Sequence, residues 1–440
     1  MRSLLFSESF LLWSAALLLV ALIFLPYFWR FRRRVRHDRE RKEEASALGI
    51  DKPAAQFPYV DPTHCIGCGA CVRACPEGDV LGIVGGTAVV VNGLRCVGHA
   101  RCEEACPVGA ITVGLGDLKS REDVPLLDET GQTTVPGIYV AGELGGLSLV
   151  RNAVFQGRRI VEHLADGLET PGAEGILDLA VIGAGPSGLS AGLTAASRRL
   201  SCVVFEREAD LGGSLLHYPR RKMVLTQPVQ LSPWGALDRE EYSKEDLLAF
   251  FEKLIAHHAV DVRFGEAVED IRRENGHFLL RTTGGTCRAR AVILALGRRG
   301  TPRKLGIPGE ELSKVMYRLI DAEGYRDQKI LVVGGGDSAA EAAVGLARQP
   351  GNVVTLSYRR EKLVRLKKKN QDALDALLAS GKVKPLFSSQ PVEITPGSVR
   401  LKVGDEPVEI ENDYVFVFAG GVPPFDFLKK IGVRFGGGAS

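Results

Sequence analysis

Two glycine-rich loops constrain the fold of this chain more than any other feature. The stretch ILDLAVIGAGPSGLSAGLTAAS (176–197) predicts a buried strand, a tight turn and a helix, and KILVVGGGDSAAEAAVGLA (329–347) repeats the pattern. In such a unit the free N–H groups at the start of the helix form a binding site for phosphate. The sequence therefore predicts an α/β fold with two Rossmann-like dinucleotide-binding domains.

The first loop contains three glycines with separate tasks. Gly183 makes the turn, Gly185 lets the backbone approach a pyrophosphate, and Gly188 lets the helix pack on the strand. The next predicted strand, CVVF, leads into Glu206, where a carboxylate would bind ribose hydroxyls. A tight turn in some other α/β protein is the alternative, and the pairing of loop and carboxylate argues against it.

The second loop presents Gly334, Gly336 and Ala339 in the same positions. Its following strand, VVTLSY, ends in Arg359 and Arg360 rather than in an acid. Guanidinium groups bind a 2′-phosphate bidentately, so this half is predicted to prefer NADPH over NADH. Glu361 follows directly and weakens that preference, and the alternative is that both arginines simply face solvent.

Seven of the nine cysteines lie in two runs between residues 65 and 106. The first run, CIGCGACVRACP (65–76), has the spacing C-x2-C-x2-C-x3-C-P, which is that of bacterial iron–sulfur proteins. The second run, CVGHARCEEACP (96–107), keeps the pattern except that His99 replaces its second cysteine. Zinc binding is the alternative, but it requires paired C-x2-C ligands and leaves the C-x3-C-P endings unexplained.

Together the two runs resemble a two-cluster bacterial ferredoxin, a small α+β domain, over residues 57–114. The resemblance implies that two 4Fe-4S clusters are bound in a reducing compartment. One would be held by Cys65, Cys68, Cys71 and Cys106, and the other by Cys75, Cys96 and Cys102. His99 either ligates the second cluster, or stands beside a 3Fe-4S cluster, or only donates a hydrogen bond to a cluster sulfur.

An uncharged apolar stretch, Phe10–Trp29, precedes a run of arginines and lysines from Arg30 to Lys42. At about 1.5 Å per residue the stretch spans a bilayer core of about 30 Å. A cleaved signal peptide is the alternative, but it carries its positive charge in front and ends in small residues. We expect a transmembrane anchor in 1–29 and a basic linker in 30–56. The positive-inside rule then predicts a single-pass protein of the cell inner membrane with cytoplasmic domains.

The two loops, with ILALGRRGTPRKLGIPGE (293–310) and DYVFVFAGGVPP (413–424), resemble thioredoxin-reductase-like flavoproteins of the pyridine-nucleotide oxidoreductase superfamily. The resemblance implies that the first loop binds FAD and the second NADPH. It also implies a late strand, turn and helix that complete the FAD domain. That motif is similar to PGIYVAGELGG (136–146) and the following NAVFQGRRIVEHL, which here precede the first loop.

This order predicts a circular permutation, because relocated termini can still complete the same sheet. The FAD domain would comprise 117–302 and 410–440, with 136–165 completing it, and the NAD(P)H domain would comprise 303–409. The alternative is that 136–165 is a strand–helix linker. The resemblance implies FAD contacts from Gly142, from Glu143 (usually aspartate), and from Asn152 and Ala153 at the helix start. GGSLLHYP (212–219) is expected to shape the flavin pocket.

Thioredoxin reductases carry a redox C-x2-C before the second loop, but VMYRLIDAEGYRDQK (315–329) has no cysteine. Only Cys202 and Cys287 lie outside the two runs, and both are expected to be inert buried thiols. The pattern is closer to the ferredoxin:NADP reductases of the same group. No residue is singled out as a catalytic acid or base.

The sequence thus predicts a membrane-anchored NAD(P)H-dependent flavoprotein oxidoreductase. It would pass electrons between NADPH, FAD and two iron–sulfur clusters, to or from a redox partner protein or small acceptor. One alternative is a disulfide or quinone reductase acting at the flavin. Another is a non-catalytic redox-sensing or electron-relay subunit. A homodimer is compatible with all of these functions. The net charge of +3 gives no argument for a nucleic-acid partner.

Overall fold

The computed structural model describes residues 2–51, 56–116, 121–167, 174–231, 233, 235–298 and 301–437. The chain forms two compact units, Met1–Gly116 and Asp117–Ser440. Each is a mixture of helices and strands, and each is described by itself below.

The first unit begins with one long helix, α1 (Arg2–Ala47). Among the described residues, α1 is the one helix that is long and apolar enough to cross a membrane. Its most apolar window has a mean hydropathy of 2.3, and none of that window is buried. The helix continues through the basic segment that was expected to be a linker over 30–56. The correction has a local reason, since Arg, Lys and Glu are good helix formers and no glycine interrupts them before Gly49.

The end of α1 packs on the cysteine-containing part of the same unit. Asp38 is buried, and its Oδ2 accepts a hydrogen bond from the backbone N–H of Ile83 at 2.8 Å. Arg41 donates to the carbonyl oxygen of Asp79 at 3.0 Å. The Asp79 carboxylate lies between Arg41 and Arg95, each 3.0 Å away. The basic segment is therefore part of this unit's packing.

Two small antiparallel sheets and two short helices form the cysteine-containing part. Its core contains the buried side chains of Val80, Leu81, Ile83, Ala88 and Ile111 together with Cys71 and Cys102. The pairs are β1 (Gln56–Val60) with β4 (Ile111–Leu115) and β2 (Leu81–Val84) with β3 (Thr87–Val90), and the helices are α2 (Ala70–Ala74) and α3 (Arg101–Glu104). This is the small α+β architecture that the two cysteine runs predict.

The second unit contains a seven-stranded sheet in the order β12-β7-β6-β15-β14-β13, with β5 also paired to β15. The long strand β15 forks, because its first half pairs with β14 and its last residues pair in parallel with both β6 and β5. The strands are β5 (Ile138–Val140), β6 (Leu177–Ile182), β7 (Cys202–Phe205), β12 (Val262–Arg263), β13 (Val268–Glu274), β14 (His277–Thr282) and β15 (Gly285–Leu294).

The segment expected to complete this sheet lies beside the first glycine loop. Strand β5 pairs with Val292–Leu294 of β15, and Ala141 N–H donates to the carbonyl oxygen of Leu294 at 3.1 Å. Helix α4 (Val150–Gly167) packs against α5 (Pro186–Ser197), the helix that follows the loop. The helices touch at Gly157, where an added Cβ would lie 2.1 Å from the Ser187 carbonyl oxygen.

Helix α6 (Lys244–His257) and two short hairpins share the core of this sheet. Ser243 caps α6 by accepting a hydrogen bond from the backbone N–H of Asp246 at 3.1 Å. The hairpins pair β8 (Met223–Leu225) with β11 (Glu241–Ser243) and β9 (Val229–Leu231) with β10 (Gly235–Leu237).

A second parallel sheet has the order β17-β24-β18-β19-β20. Helices α7 (Asp337–Ala347) and α8 (Lys368–Ala379) contribute to its core, and a three-stranded antiparallel sheet contributes to a neighbouring core. The strands are β17 (Val315–Met316), β18 (Lys329–Val333), β19 (Val353–Tyr358), β20 (Val383–Phe387) and β24 (Tyr414–Val417), then β21 (Ser389–Ile394), β22 (Ser398–Val403) and β23 (Glu406–Glu411).

Strand β24 corrects the expected boundary at residue 410. The expectation assigned 410–440 to the FAD domain, whereas β24 hydrogen-bonds with β18 in the second sheet. Val415 and Phe416 are fully buried there. The chain returns to the first domain afterwards, since Leu428 of α9 (Phe425–Lys430) lies in the core of the first sheet. At the crossing, β16 (Thr301–Pro302) pairs with β25 (Gly421–Val422).

Candidate functional site

The first glycine loop is closed on one side and open on the other. A Cβ built at Gly183, whose φ is +107°, would lie 2.5 Å from the Ala295 carbonyl oxygen, and one at Gly188 would lie 1.8 Å from the Gly183 oxygen. A Cβ at Gly185, in contrast, would meet nothing within 4 Å. Gly185 is the N-cap residue directly before α5 and has no side chain to cap it. The loop therefore leaves room for a phosphate at the start of the helix.

Glu206 lies directly beside this loop. The side chain is buried, Oε2 accepts from the backbone N–H of Ala184 at 2.7 Å, and Oε1 accepts from that of Glu208 at 3.0 Å. A carboxylate offers about four acceptor positions, so two stay available for other donors. The carboxylate is thus held at the loop in a state that still fits ribose hydroxyls.

Gly142 of the segment 136–165 lies against the first turn of α5. A Cβ built at Gly142 would lie 2.8 Å from Ser187 Oγ and 4.0 Å from the Cβ of Ala153. The N–H of Gly142 donates to Gln156 Oε1 at 2.7 Å. Gln156 was not predicted from the sequence, although it follows Asn152 by one helical turn and so shares its face of α4.

The other two expected contacts lie in the same segment. Glu143 is half-buried and begins a short 3₁₀ turn directly after Gly142. Asn152 lies in the first turn of α4 and donates from Nδ2 to the Ser148 carbonyl oxygen at 3.2 Å. Strand, turn and helix start are therefore brought to the same loop that Gly183 and Gly185 form.

The segment GGSLLHYP covers this loop from a further direction. A Cβ built at Gly213 would lie 3.2 Å from the Cα of Gly185. His217 Nδ1 lies 2.7 Å from Nη1 of Arg318, and its Nε2 lies 3.5 Å from Glu208 Oε1. Burial, and then the Arg318 charge, lower the pKa of His217. The imidazole is therefore mainly neutral near pH 7.

The second glycine loop has the same construction. Gly334 N–H donates to the Ser357 carbonyl oxygen at 2.9 Å, and a Cβ on Gly334 would lie 3.1 Å from that of Ala339. Gly336 begins α7 with nothing within 4 Å of a built Cβ. Arg359 and Arg360 follow β19 and are exposed. The arginines lie at the end of the strand beside the loop, where both guanidinium groups are accessible.

Four cysteines surround one cavity in the first unit. The cavity holds about 280 Å³ of space, part of it open to solvent, and its lining includes Ile83, Ala88 and Ile111 with Cys65, Cys68, Cys71 and Cys106. Burial raises the pKa of Cys71, and the charges of the other three thiolates raise it further. Backbone N–H groups of Ala88 and Ala110 donate to Cys65 Sγ at 3.3 Å and Cys106 Sγ at 3.2 Å. The donor set suits an iron–sulfur cube.

Cys75, Cys96 and Cys102 form a second group. Burial raises the pKa of Cys102 to about 11, and the charges of Cys75 and Cys96 contribute to the increase. His99 Nε2 lies 3.7 Å from Oε1 of Glu77, a residue that was not singled out from the sequence. Among the described residues no three His, Cys, Asp or Glu side chains converge as ligands of a single ion. A cube instead requires ligands that stand apart, because each binds a different iron.

The two remaining cysteines are not suited to thiol chemistry. Burial raises the pKa of Cys202 to about 12 and also raises that of Cys287. A thiol that stays protonated at neutral pH is a poor nucleophile.

Comparison with known families divides the chain in the same way. Residues 180–436 match the pyridine nucleotide-disulphide oxidoreductase family, and residues 57–107 match a 4Fe-4S dicluster domain. The segment 136–165 lies outside both matches.

Individual relatives align with the same part of the chain. Bacilliredoxin reductase Bdr of Bacillus subtilis is 27% identical over 58% of this chain and 80% of its own length. A ferredoxin–NADP reductase of Acholeplasma laidlawii is 29% identical over 59% and 78%. The bacillithiol disulfide reductase Bdr (YpdA) structure from Bacillus cereus superimposes with a TM-score of 0.54 and 26% identity, covering 59% of this chain and 82% of that one.

Proposed function

Because the chain belongs to the pyridine nucleotide-disulphide oxidoreductase family and carries a 4Fe-4S dicluster domain, we propose that it is a membrane-anchored, FAD-dependent NADPH:acceptor oxidoreductase. It passes electrons between NADPH, FAD and two 4Fe-4S clusters, to or from a one-electron carrier. The observation that carries this proposal is the pairing of β5 with β15, which brings the relocated segment to the first glycine loop.

FAD is held by the first loop and the relocated segment. The start of α5 binds the pyrophosphate, and Glu206 accepts hydrogen bonds from ribose hydroxyls. When bound, FAD accepts a hydride and releases electrons one at a time, as iron–sulfur clusters require. The residues assigned to it are Gly183, Gly185, Gly188, Glu206, Gly142, Glu143, Asn152 and Ala153.

NADPH is held by the second loop, and its 2′-phosphate by Arg359 and Arg360. Exposed guanidinium groups at the end of β19 support this assignment, because a phosphate binds there without desolvating a buried charge. Gly334, Gly336 and Ala339 let the pyrophosphate approach the start of α7.

The clusters are held by the cysteines of the first unit. The first is bound by Cys65, Cys68, Cys71 and Cys106, and their shared cavity supports this set. The second is bound by Cys75, Cys96 and Cys102. Backbone N–H groups directed at Cys65 and Cys106 raise the potential of the first cluster.

The apolar part of α1 anchors the protein in the cell inner membrane as a single span. Continuous helix from the apolar stretch into the basic segment supports this, since it places eight positive side chains of Arg30–Lys42 directly after the span. The remaining domains are then cytoplasmic. A variant lacking residues 2–29 is expected to partition into the soluble fraction with its flavin retained.

A second candidate is a reductase of small disulfides acting at the flavin. The similarity to bacilliredoxin reductase and to bacillithiol disulfide reductase structures favours it. The chain has no cysteine in 315–329, and Cys202 and Cys287 are unreactive thiols, so such a disulfide would react at the flavin itself.

Anaerobic stopped-flow on the reconstituted protein separates these functions. NADPH is expected to bleach the flavin absorbance, and cluster reduction should follow and appear by electron paramagnetic resonance. Cys71→Ser should keep flavin bleaching and lose reduction of a one-electron acceptor, while Cys287→Ser should change neither. Nicotinamide binding without bleaching would instead identify a sensor. NADPH-driven disulfide reduction that leaves the clusters oxidised would favour the second candidate.

A further inference from the structure

The second ligand of the first cysteine run lies in a distinctive turn. Cys68 is flanked by Gly67 at φ +63° and Gly69 at φ +70°, and Gly69 is the residue before α2. Cys68 thus lines the cavity from between two left-handed residues. The helix that follows then carries Cys71 as the next ligand.

The backbone around His99 repeats this turn. His99 is flanked by Gly98 at φ +78° and Ala100 at φ +65°, and Ala100 is the residue before α3, which carries Cys102. A left-handed alanine costs about 1–2 kcal/mol relative to an ordinary conformation. The turn is kept despite this cost, so His99 occupies the position in the second run that Cys68 occupies in the first.

A buried carboxylate, that of Glu77, lies close to Nε2 of the imidazole. His99 Nε2 is 3.7 Å from Oε1 of Glu77, and the two side chains are only 9% and 11% exposed. Glu77 is also close to the second group of cysteines, because it follows Cys75 by two residues. Glu77 is placed there by the turn after Cys75, whose thiol accepts from the Glu77 backbone N–H.

We infer that His99 is the fourth ligand of the second cluster through Nδ1, and that Glu77 is the positioning residue that holds its ring. Histidines that bind metal usually donate the other ring N–H to a carboxylate, which fixes the tautomer and the ring plane. With Nε2 lying 3.7 Å from Glu77 Oε1, Nδ1 is the nitrogen left to bind iron. Nε2 would then carry the ring proton, and the Glu77 carboxylate would accept from it.

This inference rests on the proposed function, because the domain must first hold two clusters. It adds a difference between them, since imidazole in place of thiolate raises a cluster's reduction potential. We therefore expect the second cluster to have a higher reduction potential than it would have with a cysteine at position 99.

The test uses the full-length reconstituted protein and pulsed electron paramagnetic resonance. The reduced protein is compared with and without ¹⁵N-labelled histidine. A strong nitrogen coupling that changes with the label is expected in the unmodified chain. It should disappear in His99→Cys, which should keep its iron and show a lower potential for the second cluster.

Glu77→Gln and Glu77→Ala test the positioning role, and Glu104→Gln, an exposed carboxylate on α3, is the matched control. Glu77→Gln keeps an acceptor oxygen and should retain the nitrogen coupling with a raised potential. Glu77→Ala should weaken the nitrogen coupling. A chelator should also remove iron from the second site of this variant at least roughly tenfold faster. Glu104→Gln should match the unmodified chain in both measurements.

The possible outcomes distinguish a failure of the proposed function from a failure of the role assigned to His99. Iron analysis showing no second cluster would contradict the proposed function itself. Two four-iron clusters without a label-dependent coupling, or a three-iron second cluster, would overturn only the role of His99. Glu77→Ala that behaves like Glu104→Gln would leave His99 a ligand and remove Glu77 as its positioning residue.

Discussion

The backbone N–H of Leu126 donates to the carbonyl oxygen of Arg434 at 2.9 Å, which joins two parts of the second unit that are far apart in sequence. Gly436 N–H donates to the Val124 carbonyl oxygen at 3.1 Å, and Pro125 and Phe435 form an antiparallel bridge between them. The two segments therefore lie side by side in opposite directions, as the two arms of a hairpin do. This geometry supports the proposed circular permutation, because a short turn could join residue 437 to residue 121.

A rejoined chain tests the permutation. It would begin at Glu174, run to Gly437, and continue through a short glycine-containing turn into 121–167. We expect this chain to fold and to bind one FAD, because every strand keeps its neighbours in the sheet. Absorbance of the purified protein measures the flavin. The matched control lacks 121–167 and should bind none. Equal flavin content in both chains would show that the segment is a mere linker.

Gly157→Ala tests the contact between α4 and α5. The new methyl would lie 2.1 Å from the Ser187 carbonyl oxygen, a backbone atom that cannot move without shifting the start of α5. We expect a loss of about 1–3 kcal/mol in the free energy of unfolding, together with weaker FAD binding. Gly167→Ala lies on the same helix with nothing within 4 Å of its Cβ and is the control. Thermal melts with flavin fluorescence check both, and identical melts would contradict the packing.

Replacing Arg359 and Arg360 by alanine tests the choice of nicotinamide cofactor. Each charge-assisted hydrogen bond to a 2′-phosphate contributes about 1.5–3 kcal/mol. Because both arginines are removed, we expect kcat/KM with NADPH to fall roughly 100-fold or more, while the value with NADH stays unchanged. Arg348→Ala, which removes an exposed charge at the end of α7, should alter neither. A parallel loss with both cofactors would mean that the arginines serve the fold instead.

Asp123→Asn tests a pH-dependent ion pair near the start of the second unit. The carboxylate accepts from Arg121 at 2.7 Å and from Arg298, and these hydrogen bonds, that of Arg121 first, lower the pKa of Asp123 from 3.8 to about 2. Because the pKa is lower in the folded state, the ionised carboxylate stabilises the fold at any pH above the unfolded-state pKa. This stabilisation is lost as the pH falls through the folded-state pKa. At pH 7 the free energy of unfolding should be about 1 kcal/mol larger for the unmodified chain than for the variant. The difference is this small because the pair is partly exposed.

That difference should shrink between pH 4 and pH 2, the interval set by the two pKa values. Urea unfolding at a series of pH values measures it. Glu122→Gln, an exposed neighbour, is the control and should show no such change. A difference that stays constant down to pH 2 would mean that the carboxylate charge is not what stabilises this contact.

Asp38→Ala tests whether the basic part of α1 is fixed to the first unit. The substitution leaves the N–H of Ile83 without its acceptor in a buried position, which costs about 1–3 kcal/mol. We expect faster amide exchange in β2 and faster loss of iron, with exchange in the second unit unchanged. Glu43→Ala on the same helix is exposed and serves as the control. Unaltered exchange at Ile83 would support a flexible tether.

The sequence by itself determined those features that depend on neighbours along the chain. The turns at Gly183 and Gly334, the ligand spacing of the two cysteine runs and the apolar stretch of α1 follow from local sterics, fixed spacing and hydropathy. These suffice to predict an α/β flavoprotein joined to a dicluster domain, and the family matches confirm that combination.

Only the tertiary structure decided which distant segments meet. The apolar pattern of Tyr414–Val417 fits either of the two large sheets, and its place beside β18 depends on hydrogen bonds to strands elsewhere in the chain. The contact of His99 with Glu77 likewise requires the two cysteine runs to fold together. Strand pairing and buried charge contacts are long-range interactions, and the periodicity of a segment describes its faces but not its neighbours.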